Sequence, residues 1–96
     1  MMDGAGRLVT VVGEIDVATA PELADYLVES GTGDVTVDLS GVTFLDSSGM
    51  RALHASNEWC KRHGSTLTIR GAPAHVRRVL EITGFDQVVN LDGEVE

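Results

Sequence analysis

The stretches "VTVDL" (35–39) and "TLTIR" (66–70) alternate strictly between apolar and polar residues. Successive side chains of an extended chain point to opposite sides. Val35, Val37 and Leu39 therefore share one face with Leu67 and Ile69, while Thr36, Asp38, Thr66, Thr68 and Arg70 share the other. A sheet built from such strands has one apolar face and one polar face. Parallel sheets are usually covered on both faces. A polar second face argues against a doubly wound nucleotide-binding sheet and for helices stacked on one side only.

The rest of the chain supplies those helices. "LVTVVGEI" (8–15) reads as a strand. "TAPELADYLVES" (19–30) reads as a helix, with Thr19 and Glu22 as a capping box and Pro21 in the first turn. "GMRALHASNEWCKRH" (49–63) is helical and stops at Gly64. "PAHVRRVLEIT" (73–83) opens with Pro73 and closes at Gly84, and "QVVNL" (87–91) is a last short strand. The order β-α-β-α-β-α-β, joined by right-handed crossovers, predicts an α/β fold. It is a one-sided β-α superhelix: a mainly parallel four-stranded sheet with three main helices on one face. Residues 1–96 are expected to form a single domain, with no linker or internal repeat.

Composition narrows the function. The net charge is −8, and residues 1–50 hold nine acids against one base, Arg7, while residues 51–96 hold six of each. Such a surface repels nucleic acid phosphates and suits a partner with a basic face. The single cysteine, Cys60, cannot form an internal disulfide, which favours a reducing compartment. No apolar run approaches membrane-spanning length and "MMDGAGRL" lacks the apolar core of a signal peptide, so a cytoplasmic location is expected. One cysteine and three histidines show no zinc-site spacing, and no glycine pattern fits a phosphate loop. Neither a metal nor a cofactor is expected.

The corner "FLDSSGM" (44–50) carries the chemistry. Three readings compete there: a helix cap, a catalytic nucleophile, or a site of modification. Catalysis fits poorly. The corner lacks G-x-S-x-G, and His54 lies six residues beyond Ser48 on the polar side of the helix. A domain this small has little pocket to offer. Capping by Asp46, Ser47 or Ser48 is the plain physical reading, yet it needs only one of the three. Modification accounts for the tandem serines. A hydroxyl at a helix N-terminus sits beside free N–H groups, where a phosphate is tolerated. Met50, on the polar side of the helix, is either an incidental surface residue or a soft contact for a partner.

Three segments, "GEIDVATAPEL" (13–23), "VDLSGVTFLDSSGMRAL" (37–53) and "VRRVLEITGFDQVV" (76–89), resemble the STAS domain of bacterial anti-sigma factor antagonists. The resemblance implies a non-enzymatic partner-switching protein. The unphosphorylated form binds an anti-sigma factor that is also a serine kinase and so frees a sigma factor. Phosphorylation ends the complex, and a serine phosphatase resets it. It places the modified serine at Ser48. The partner contacts it implies are Asp46, Ser47, Ser48 and Gly49, with a second contact at Glu14 and Asp16; Met50, the soft contact read from its helix position, adjoins them. The alternative within the family is a non-phosphorylated scaffold or accessory subunit of a stressosome or transport complex. Family members commonly carry a strand before the segment equivalent to 8–12 and a helix after the last strand. Only seven residues precede Leu8, so a bare sheet edge and a weak homodimer through it are left open.

Overall fold

The computed structural model describes residues 2–5, 8–29 and 34–92. Strands β1 (Met2–Ala5), β2 (Leu8–Ile15), β3 (Val35–Leu45), β4 (Leu67–Arg70) and β5 (Asn90–Asp92) form one sheet in the order β1-β2-β3-β4-β5. Helices α1 (Ala20–Glu29), α2 (Ser47–Arg62) and α3 (Ala74–Thr83) link the four parallel strands β2 to β5. Because sequence neighbours are sheet neighbours, right-handed crossovers carry every helix to the same face. Val9, Val11, Ile15, Val37, Leu39 and Ile69 point into that core. On the other face Asp38 meets Arg70 at 3.8 Å.

The four parallel strands are those the alternation predicts. The fifth is not: β1 pairs antiparallel with β2, Met2 opposite Val11 and Ala5 opposite Leu8. The expectation of a bare edge at β2, with four strands in all, is therefore corrected. "MDGA" has no strand pattern of its own. What it has is a neighbouring edge strand with unpaired backbone groups, a template for pairing that does not depend on side chains.

β3 also runs further than its alternation suggests, through "SGVTFL" to Leu45. Two register shifts explain this. Between Thr10 and Val12 the β2 strand advances two residues while β3 goes from Asp38 to Gly41; between Gly13 and Glu14, β3 goes from Val42 to Phe44. Each shift inserts one extra residue in β3 and reverses which residues face inward. The buried series becomes Val35, Val37, Leu39, Val42, Leu45. Gly13 makes the second shift, with φ 97°, a conformation that costs a residue with a Cβ but not a glycine. Phe44 consequently faces out at 48% exposure while Leu45 is buried.

The last strand is shorter and later than the 87–91 expected. Phe85–Gln87 forms a 3-10 turn after α3 ends at Gly84, and pairing begins only at Asn90. Phe85 is buried in that turn. The corner is tied to α2 by Asn57, a buried side chain whose Nδ2 donates to the Val88 carbonyl oxygen (3.4 Å).

Candidate functional site

The carboxyl ends of β2 and β3 lie side by side, Ile15 opposite Leu45, so the turns that follow them share one edge of the sheet. "EID" leads into α1 and "DSSG" leads into α2. The Asp46 N–H donates to the Ile15 carbonyl oxygen (3.2 Å), fastening the two corners together.

Asp46 is the N-cap of α2. Its Oδ1 accepts from the backbone N–H groups of Ser48 (2.9 Å) and Gly49 (3.1 Å). One carboxylate thus satisfies two of the donors that every helix start leaves over. Neither serine is needed as a cap. Among the described residues, no hydrogen bond engages the hydroxyl of Ser47 or Ser48. Ser47 is exposed and Ser48 half-buried.

Gly49 is buried, and its role is close packing rather than a turn or a surface contact. A Cβ there would collide with Leu45 Cδ1, and would sit 2.8 Å from Ile15 Cγ2 and 2.9 Å from the Ile15 carbonyl oxygen. Only a glycine lets the first turn of α2 press against both strand ends. Met50 also departs from expectation. It is 7% exposed and belongs to the core, so it offers no side chain to a partner. The turn at Phe85 packs beside that flank of α2: Phe85 meets the His54 ring edge-on with centroids 5.7 Å apart, and Met50 and Phe85 line the same small hollow with His54 and Val88.

The first corner is built differently. Asp16 and Thr19 cap each other: Asp16 Oδ1 accepts from the N–H of Thr19 (3.1 Å), and the Thr19 hydroxyl accepts from the N–H of Asp16 (2.9 Å). Asp16 Oδ1 also accepts from the Ala18 N–H (3.0 Å), and the Thr19 hydroxyl donates to the Glu14 carbonyl oxygen (2.9 Å). The capping box expected at Thr19 and Glu22 thus forms one turn earlier. Glu14 stays exposed.

Between α1 and α2 runs a shallow hollow of about 350 Å³. Val17, Ala20 and Ala24 line it from the α1 side, and Ser48, Arg51 and Ala55 from α2. Val17 is 74% exposed at its head, an apolar side chain with no cover. The corner therefore presents two unbonded hydroxyls, an exposed acid at Glu14 and an apolar groove on one side. Among the described residues no cluster of histidine, cysteine and acids has a metal-binding arrangement, and no helix is long and apolar enough to cross a membrane.

The family model described as Mlab, STAS domain, matches residues 2–91. The chain belongs to the STAS domain family. Among its relatives is the anti-sigma-B factor antagonist of Staphylococcus epidermidis, 33% identical over 91 residues, covering 92% of this chain and 84% of the relative. Its fold is similar to that of an anti-sigma factor antagonist from Mycobacterium paratuberculosis, with TM-score 0.76 and 32% identity over 98% of this chain and 84% of that one. The fold also matches SpoIIAA at 11% identity and TM-score 0.71, over 98% of this chain and 87% of that one. SpoIIAA has been solved in a phosphorylated form as well, which matches at 13% identity and TM-score 0.66 over 98% of this chain and 91% of that one. In this STAS domain the one-sided sheet and the D-S-S-G corner coincide with the features read from the sequence.

Proposed function

We propose that this STAS domain is an anti-sigma factor antagonist switched by phosphorylation of Ser48. Its unphosphorylated form binds an anti-sigma factor with serine kinase activity and thereby releases a sigma factor. The Ser48 oxygen attacks the γ-phosphorus of ATP held by the kinase; the new O–P bond forms as ADP leaves, and the hydroxyl proton passes to a base of the kinase. A serine phosphatase reverses the modification by hydrolysis. The domain itself has no catalytic role.

The observation that carries this reading is the division of labour at the corner. Asp46 alone caps α2, which leaves the Ser48 hydroxyl without a structural bond at an accessible helix start. The relatives named as antagonists and the phosphorylated form of SpoIIAA support the same direction. Glu14 and Ser47, both exposed, together with the groove headed by Val17, supply the partner surface. Asp16 and Asp46 shape that surface by capping, and Gly49 and Met50 hold it from beneath. A phosphate brings about −1.5 to −2 charges. Placed in a close-packed interface, it opposes the partner while the helix start tolerates it.

Titration calorimetry against the co-encoded anti-sigma factor tests this. Wild type and Ser48→Ala should bind alike, and Ser48→Asp should bind about tenfold or more weakly, since an unpaired charge buried in a close-packed interface costs about 3–5 kcal/mol. Equal binding by Ser48→Asp would favour a scaffold that is never switched at this residue.

A further inference from the structure

Arg51 lies three residues after Ser48 on α2, and both line the hollow between α1 and α2. Residues at that spacing are neighbours on a helix surface, with Cβ atoms about 5–6 Å apart. Arg51 is exposed, and among the described residues it has no ion-pair partner. The residues lining the hollow on the α1 side are apolar, Val17, Ala20, Pro21 and Ala24, and among the described residues the ion pairs join Arg70 to Asp38 and Arg77 to Glu81, not Arg51 to an acid. Arg51 is the sole charged side chain among the described residues lining the hollow. It is also the first base after a half of the chain that carries nine acids and one base.

We propose that Arg51 is the intrachain counter-ion of the Ser48 phosphate. This rests on Ser48 being the modified residue. The guanidinium presents a planar fork of donors that matches phosphate oxygens, and the apolar groove wall shields the pair from part of the surrounding water. The phosphate is held against its own helix beside the groove. The switched-off domain is then a closed, internally paired surface rather than one that only repels. Arg51 acts as a positioning residue for the phosphate, and the backbone donors at the helix start are shared equally by every variant at position 51.

Phosphoserine installed at position 48 during translation makes the test independent of any kinase. The readout is the second ionisation of the phosphate followed by ³¹P NMR against pH. A nearby cation favours the dianion, so the wild-type background should ionise about half a pH unit lower than Arg51→Gln, and Arg51→Lys should fall between them. Thermal melts of the three unphosphorylated proteins should coincide, whereas with phosphoserine at 48 the wild-type background should melt above Arg51→Gln at neutral pH. Identical titration in the wild-type and Arg51→Gln backgrounds would overturn the proposal. Failure of the kinase to modify Ser48 would instead sink the functional reading and leave this titration intact.

Discussion

The two corners at the carboxyl ends of β2 and β3 solve the same problem with different economy. Each starts a helix, and each uses an aspartate as a cap. In the first, Asp16 and Thr19 lock each other, and the threonine hydroxyl also bonds to Glu14. In the second, Asp46 caps alone, Gly49 provides the close fit, and two hydroxyls are left over. The comparison separates structure from chemistry. Where a hydroxyl is engaged in backbone bonds it cannot be modified without unmaking the corner. Where it is not, as at Ser48, the proposed phosphate would displace no hydrogen bond seen among the described residues.

Substitutions can break this contrast, and the largest effect belongs to Gly49. Gly49→Ala forces a Cβ against the Ile15 backbone and should cost about 1–3 kcal/mol of stability in chemical denaturation. A neutral result would mean that the corner has slack and the tight fit is not needed. The caps come next. Asp46→Ala should cost about 1 kcal/mol. Asp16→Ala and Thr19→Ala should each cost a similar amount, and the double variant less than their sum, because each removes the same reciprocal pair. Full additivity would show that the two residues do not act as one cap.

The serines should matter least to folding. Ser48→Ala should change stability by no more than about 0.5 kcal/mol, as expected for a group that makes no structural bond. A loss comparable to that of Thr19→Ala would erase the distinction between the corners. A smaller effect still lies on the open sheet face. Burial pushes the Asp38 carboxyl up, but bonds from the Ser40 backbone and hydroxyl, with the Arg70 charge, outweigh it and leave the group below its ordinary value. A carboxyl lowered by folding stabilises the protein above its unfolded pKa of about 3.9 and loses that contribution as pH falls through the lower folded value. Asp38→Asn should therefore flatten the acid limb of the stability profile below about pH 4 and leave the corners untouched.

Local patterns made much of this legible in the sequence. Strict alternation in Val35–Leu39 and in the strand around Ile69 fixed the inward faces, and the polar remainder required helices on one side. The run Asp46-Ser47-Ser48 before a helical segment pointed to a cap without choosing among the three, and the structure selects Asp46. What escaped depends on distant parts of the chain. β3 continues past Leu39 only because β2 and its glycine at position 13 accept two bulges, and a bulge destroys the period-2 signal. Met50 falls on the polar side of α2 when that helix is viewed alone, yet it is buried in the core beside the turn at Phe85, more than thirty residues away. β1 has no pattern because its pairing uses backbone groups. Val17 and Arg51 could have been found as an apolar residue in a polar turn and a lone base among acids, but only the packing of α1 on α2 sets them around one groove with Ser48.

The Ser48 hydroxyl is proposed as a switch rather than a piece of the scaffold. Incubation of the folded domain with ATP and its co-encoded anti-sigma factor kinase, followed by peptide mass spectrometry, tests it most directly. One phosphate per chain is expected, located on Ser48, and none on Ser48→Ala under the same conditions. Phosphate on Ser47 or elsewhere, or an unmodified Ser48 beside an active kinase, would contradict it.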